Sequence, residues 1–504
     1  MNVNGGAAMY YCYWLCRSKA RTCPTWNLSA VYTAGSETRS PIASISIYLP
    51  TNATTMNNHN LVKNYYFILL LFILPIPIAC DEGESPDKGT QIYSADVVKE
   101  WLDVQTSMLY LPTGNPFGFN PSRYMAYCGV ALYESVVPGM PAYQTLSRQL
   151  TSMPDMPVAE PGTDYHWPAS AHAALATMTK HFFSTTPVYN GDAVTALENM
   201  LNEQYRTEVG DVIFDRSVAF GTEVANRIFE WSKSDKVAWP TSYTVPTGDG
   251  IWHSDTGAAP ANPYWGYTRT MVAGSLDNTA SAPLPYSTDP TSTYYKNMYE
   301  VYEVSKNLTH EQKLIARYFN DANPGYPAGA HYISILKQVI EQFNPTLDKA
   351  ALTYAQTGIT LFDASVGSFK TKYEHWKERP FSFIRSVIIP EANPAWKSFL
   401  PTPEFPDFPS NHAIFSSSVG YVLASLYGNN VSFTDASYEG VMFDLGNGPE
   451  NLGSRHYNSF DAMTNEISMS RLYGGIHYRY SCDEGIKQGT SIATKIGATI
   501  KFLK

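Results

Sequence analysis

From residue 94 to the C-terminus, apolar side chains recur at the three- and four-residue spacing of a helix face, which leaves little room for a sheet protein. Ala95, Val98, Trp101, Leu102, Val104, Met108 and Leu109 trace one stripe, and Val218, Phe220, Val224, Ile228 and Trp231 another. The same spacing predicts helices near 123–137, 168–183, 192–207, 309–320, 330–343, 346–365, 410–427, 459–472 and 483–499. Alternating strand patterns are few and short, and no repeat of solenoid length stands out. The segment 237–295, with VPTGDG, TGAAPANP and SAPLPYSTDPTS, reads as one long irregular connection. Such a stretch in a compact domain is usually functional or wraps the surface. The expected fold is all-α: one large helical domain over 91–504 with long irregular loops.

Composition supports a sizeable core. Hydrophobic residues make up 44% of the 504-residue chain and charged residues 16%, which argues against general disorder. The net charge is −10, and no basic tract appears. Nucleic acid is therefore set aside as a partner, because phosphate backbones are held by surplus Lys and Arg.

The first eighty residues read differently. An apolar stretch, YYFILLLFILPIPIA, runs from Tyr65 to Ala79 between Lys63 and Cys80. It is short for a spanning helix and suits the apolar region of a signal peptide over 56–79. Ala79 before Cys80 is similar to a bacterial lipoprotein processing site, although Pro77 stands where Leu is usual. The expectation is a lipid anchor on Cys80 as the sole membrane attachment, with ordinary signal cleavage or an uncleaved anchor as alternatives. Residues 80–90 then form an acidic, turn-rich tether, and outward placement on a Gram-negative cell surface is expected, otherwise a periplasmic or secreted location. Residues 1–55 read as an over-extended start; they hold Cys12, Cys16 and Cys23, with no fourth ligand nearby to make a metal site. With Cys80 acylated, only Cys128 and Cys482 remain to pair.

Three segments carry the chemistry, at 369–380, 405–412 and 470–477. The first contains Lys372-Tyr-Glu-His-Trp-Lys-Glu-Arg379-Pro380, and the second Phe405-Pro-Asp-Phe-Pro409-Ser410-Asn411-His412 before an apolar helical run. The third is Ser470-Arg471-Leu-Tyr-Gly-Gly-Ile-His477. Lys372, Arg379 and Arg471 offer cations, Ser410 and the N–H groups of a helix start offer neutral donors, and two histidines complete the set. Guanidinium forks and an ammonium suit the oxygens of a tetrahedral oxyanion such as phosphate or vanadate. Each residue also has an ordinary explanation: Lys372 on a solvated helix face, Arg379 at a helix end, His412 and His477 hydrogen-bonded in a core. The ordered spacings K-x6-R-P, P-S-x-H and S-R-x5-H weigh against that.

In those spacings the chain resembles the vanadium-dependent haloperoxidases, within the type 2 phosphatidic acid phosphatase and haloperoxidase superfamily. The resemblance extends more loosely over 91–504 through PSRYMAYCGVALYESV (121–136), PYWGYTR (263–269) and PAGAH (327–331). It implies a fold of two packed helix bundles and a vanadate cofactor, vanadium(V). Lys372, Arg379, Ser410, Asn411 and Arg471 would bind its oxygens, and His477 would be the axial ligand through a neutral ring nitrogen. His412 would take a proton from hydrogen peroxide, and Lys372 would polarise a peroxide oxygen. A halide (iodide, bromide or chloride) would leave as hypohalous acid, with a small organic acceptor as a further partner. Phe405 and Phe369 would line the halide approach.

Two positions depart from the family pattern. Asn411 stands where the middle motif usually has Gly, a change that matters if that position needs a left-handed backbone or close approach. Ser481 stands four residues after His477, where an Asp commonly orients the histidine as a phosphatase nucleophile. That absence tilts the reading from the first alternative, an acid phosphatase in which His477 attacks phosphorus and His412 protonates the leaving oxygen. A second alternative is a non-catalytic surface lipoprotein with a decayed pocket.

Overall fold

The computed structural model describes residues 89–504 apart from 112–120, 237–238, 241, 322–324, 392–394 and 446–447. The expectations for 1–55, the signal segment and Cys80 lie outside the described residues. Of the tether, Gly89 and Thr90 are described; both are buried, and the Thr90 hydroxyl donates to Gly139 O at 3.2 Å.

Helices α1 (Asp96–Leu109), α2 (Pro121–Val136), α3 (Trp167–Phe183) and α4 (Gly191–Ser232) build the N-terminal group. The predicted helices at 192–207 and around 218–231 are one element, α4, broken by a kink at Gly210, whose φ of 77° only glycine adopts freely. Then follow α5 (Thr293–Lys306), α6 (His310–Tyr318), α7 (Ala330–Phe343), the long α8 (Leu347–His375), the single turn α9 (Pro380–Phe383), α10 (Asn411–Tyr427), α11 (Phe460–Tyr473) and α12 (Arg479–Thr499). Their starts are written locally. Thr309 and Gln312 form a capping box on α6, and Ser292 and Ser459 accept the N–H groups of Tyr295 and Ala462 at α5 and α11.

Helix α8 is the spine. It packs on α2 on one side, where Tyr127 and Phe362 meet edge to face, and on α10 and α12 on the other. α10, α11 and α12 pack on one another as the second group. The α10–α12 crossing is tight: a Cβ on Gly489 would lie 2.2 Å from Ile414 O. A second apolar cluster, with Tyr294, Met298 and Val301 of α5 against Phe383, Leu472 and Tyr478, seals the region behind α9 and the α11–α12 turn.

The strands among the described residues are four three-residue pieces between α10 and α11. β1 (Phe433–Asp435) pairs antiparallel with β4 (Arg455–Tyr457), and β2 (Met442–Asp444) with β3 (Pro449–Asn451). The fold is therefore all-α with two small ladders. From residue 242 to Ser292 the described chain is irregular save one 3-10 turn at Trp265–Tyr267, as expected of a long connection. It is anchored by the buried Asp363 of α8, which accepts from Met271 N, Val272 N and Ser275 Oγ. No helix of the described residues is long and apolar enough to cross a membrane. Cys128 and Cys482 are buried free thiols, so they do not pair.

Candidate active site

Each of the three segments lies at a helix terminus. Lys372 sits in the last turn of α8, which ends where Trp376 turns left-handed (φ 49°). Arg379 caps α9, with Pro380 in the first helical position, where a missing N–H costs nothing. Ser410 caps α10, Arg471 lies in the last turn of α11, and His477 lies in the turn before α12. Lys372, Arg379 and Ser410 are fully buried, Arg471 and His477 nearly so. The solvated-face explanation for Lys372 therefore fails.

Burial first, and then mutual repulsion, shapes the charges. Lys372 is held well below its usual range by burial and by Arg379. Arg379 and Arg471 are each pulled down to about 10 by burial. The Lys372 ammonium donates to the carbonyls of Pro406 (3.0 Å), Asp407 (2.7 Å) and Pro409 (2.5 Å). All three of its donors are thus spent on the 406–409 loop; contact with an oxyanion requires one of these bonds to be exchanged. Arg379 Nε donates to Phe405 O and Nη1 to Ile476 O, both at 2.8 Å, and Nη1 lies 3.5 Å from His477 Nε2. Its Nη2 is buried without a partner, and so is Ser410 Oγ. Arg471 is tied to Ser470 Oγ at 3.0 Å and to Phe319 O.

Two orphaned donors beside buried cations and a helix start suit an anionic oxygen ligand. A carboxylate among them, Asp407, is raised to about 7 by burial and so carries only part of a compensating charge. The donor set therefore fits a tetrahedral oxyanion such as vanadate or phosphate.

His477 is kept neutral, its pKa pushed well below 6.5 by burial, then Arg379, Lys372, Arg471 and His412. Its Nδ1 faces Asp407 Oδ2 at 3.0 Å, with Ser481 Oγ at 3.4 Å. A carboxylate from the second segment thus lies beside the ring, though neither Asp407 oxygen makes a hydrogen bond. Position 481 is Ser, but with an acid 3.0 Å from Nδ1 the absence of an Asp there does not by itself weigh against a phosphatase.

His412 Nε2 lies 2.9 Å from Asp321 Oδ2, and Tyr332 donates to its carbonyl at 3.3 Å. Burial, then Arg471, lowers the ring to about 4, so it is neutral at pH 7. With Nε2–H given to a carboxylate, Nδ1 is the basic nitrogen.

Asn411 is the first residue of α10 and has no positive φ, so the concern about a left-handed backbone does not apply. Its Oδ1 accepts from Ser368 Oγ of α8. Phe369 and Phe405 meet edge to face at 5.5 Å, and the Phe405 ring underlies both Lys372 (5.2 Å) and Arg379 (4.9 Å). Phe405 thus touches the cation cluster directly, Phe369 through it.

Asp407 and Asp321 escaped the sequence reading. Asp407 lies within the second segment, but His477 is seventy residues away in chain order, and no motif marks Asp321.

Residues 352–503 match the family model described as the VCPO second helical-bundle domain. No curated protein matches the chain. Among solved structures, a bacterial vanadium-dependent iodoperoxidase is similar at 27% identity and TM-score 0.69, covering 82% of this chain and 98% of its own. The holo form of a bacterial vanadium-dependent chloroperoxidase is similar in fold at 16% identity and TM-score 0.57, with 83% and 94% covered. The apo form of such a chloroperoxidase gives 14% identity and TM-score 0.56, with 75% and 94% covered.

Proposed function

We propose that this chain, a member of the vanadium haloperoxidase family by its second helical-bundle domain and its fold, is a vanadate-dependent haloperoxidase that oxidises a halide with hydrogen peroxide to hypohalous acid. The observation that carries the reading is the pair of unspent buried donors, Arg379 Nη2 and Ser410 Oγ, beside the neutral His477. Arg379, Ser410, the first-turn N–H groups of α10, Arg471 and, after exchange of one carbonyl bond, Lys372 would hold the oxygens of vanadate. His477 would be its nitrogen ligand through Nε2, with Asp407 Oδ2 close to Nδ1 on the far side of the ring. Bound there, vanadate would supply a Lewis-acidic vanadium(V) that activates peroxide without redox cycling.

The protein's own share is protonic and electrostatic. His412 Nδ1 would take a proton from hydrogen peroxide and give it to the hydroxyl that leaves as water. Arg379 and Lys372, stacked over Phe405, offset the negative charge that accumulates as the peroxide oxygens are polarised. Phe405 and Phe369 give the halide an apolar approach. Iodide is the first halide to try, given the likeness to an iodoperoxidase. Export through residues 56–79 and a lipid anchor at Cys80, placing the enzyme at a cell surface, belong to the same proposal.

The test is direct. Protein reconstituted with orthovanadate oxidises iodide or bromide with hydrogen peroxide, and His477→Ala abolishes this. Activity that ignores vanadate yet hydrolyses p-nitrophenyl phosphate contradicts it. That second reading, an acid phosphatase with His477 as nucleophile, is favoured by one observation: a carboxylate at Nδ1 leaves Nε2 as the attacking nitrogen.

A further inference from the structure

Behind His412 runs a buried line of alternating charge that the proposed chemistry does not itself use. Asp321 Oδ2 faces His412, and its Oδ1 lies 2.9 Å from His331 Nδ1. His331 Nε2 in turn lies 3.0 Å from Asp435 Oδ2. The side chains of His331, Asp321 and Asp435 are 2%, 1% and 0% exposed, so water does not share the work. Asp435 is fixed from its other oxygen by Ser437 N (3.0 Å) and Gln338 Nε2 (3.4 Å).

A neutral imidazole has one N–H and one lone pair, so it can satisfy only one of two flanking carboxylates. Both ring nitrogens of His331 face carboxylate oxygens, and between two ionised carboxylates, both held below the usual range by His331, the ring is the imidazolium. Its surroundings suit a cation. Phe319 and Tyr326 lie nearly parallel to the ring, at 5.6 and 6.1 Å, and Tyr438 meets it edge to face at 5.2 Å. Burial disfavours that charge, but Asp435 and Asp321 prevail and raise His331 to about 10.

We infer that His331 is a positioning residue: as an imidazolium bridging Asp321 and Asp435, it holds Asp321 ionised and aimed at His412 Nε2, and so fixes the tautomer in which His412 Nδ1 is the base. Asp321 has a left-handed backbone (φ 47°) and gives one carboxylate oxygen to each histidine. The PAGAH segment, whose last residue is His331, thereby acquires a role at the site while touching none of the reacting atoms. β1 acquires one too, since it delivers Asp435. The functional consequence rests on the haloperoxidase reading; the protonation states do not.

The experiment is nitrogen-15 NMR of histidine-labelled full-length protein without vanadate at pH 7, with resonances assigned through His331→Gln and His412→Gln. Both ring nitrogens of His331 are expected to be protonated, and His412 to be protonated at Nε2 alone. In His331→Gln the amide can donate to one carboxylate only, so His412 becomes a mixture of tautomers. After loading with vanadate, kcat for iodide oxidation then falls about ten- to a hundredfold while KM and vanadate affinity hold. A neutral His331 in the unmodified protein overturns the inference, whether or not the variant folds. So does a folded His331→Gln variant with an unchanged His412 spectrum and kcat. Absence of halide oxidation in the unmodified protein counts against the haloperoxidase reading alone, since the spectra do not depend on it.

Discussion

Asp407 Oδ2 lies 3.0 Å from His477 Nδ1, so a carboxylate from the loop before α10 faces the histidine in the turn before α12. The position four residues after His477, where such a carboxylate is commonly encoded, holds Ser481. Removing the charge while keeping the shape, Asp407→Asn, is expected to weaken vanadate binding by about ten- to a hundredfold, as loss of an outer-shell partner of a ligating histidine does. A vanadium-51 NMR titration reads this; unchanged affinity would show that Asp407 merely fills space.

Asn411→Gly restores the usual residue of the middle motif, yet no rise in activity is expected. Asn411 is helical and its side chain bonds Ser368, so nothing about it blocks the site. The variant loses one buried hydrogen bond and should be less stable by about 1 kcal/mol in urea unfolding. A variant that instead gains activity would revive the decayed-pocket reading.

The two histidines on either side of Asp321 give stability opposite pH dependences. His412 falls from 6.5 to about 4 through burial and then Arg471. Its contribution is therefore complete above pH 6.5 and lost as pH falls toward 4, where the unfolded chain holds the extra proton. For His331, burial opposes the charge but Asp435 and Asp321 carry it from 6.5 up to about 10. Its contribution is complete below pH 6.5 and lost as pH rises toward 10. The Tm gap between the unmodified protein and His331→Gln should narrow from pH 6.5 to 10, and His412→Gln should flatten the acid limb. Parallel Tm curves for all three proteins would contradict both assignments.

Gly489→Ala tests how the scaffold sets the site. Its Cβ would meet Ile414 O and Ser417 Oγ, each at 2.2 Å, where α12 crosses α10. The helices must part, and overpacking of this kind costs about 1–3 kcal/mol. Because α10 carries Ser410 and His412 at its start, vanadate affinity should fall together with Tm. Wild-type stability by thermal unfolding would contradict so close a crossing of α10 and α12.

Much of this was legible in the chain. The helix predicted at 330–343 is α7, that near 410–427 starts one residue before α10, and that near 459–472 is α11 shifted by one residue. The 346–365 prediction stopped ten residues short of the end of α8, because its last turns mix Lys, Thr and Glu around Lys372, and their burial comes from the loop folded over them. α5 was missed altogether. Its buried face is only Tyr294, Met298 and Val301, set among tyrosines and charges that mask the period. The cations and both histidines announced themselves by ordered spacing. Their partners did not: Asp321, His331 and Asp435 come from the chain after α6, the start of α7 and β1, and only the packing of these parts makes them neighbours.

The most direct test of the central claim is a crystal of the vanadate-loaded protein with anomalous data at the vanadium edge. One vanadium per chain should lie at His477 Nε2, its oxygens held by Arg379, Ser410 and Arg471. Vanadium bound elsewhere, or none bound while phosphate occupies the same donors, would contradict it.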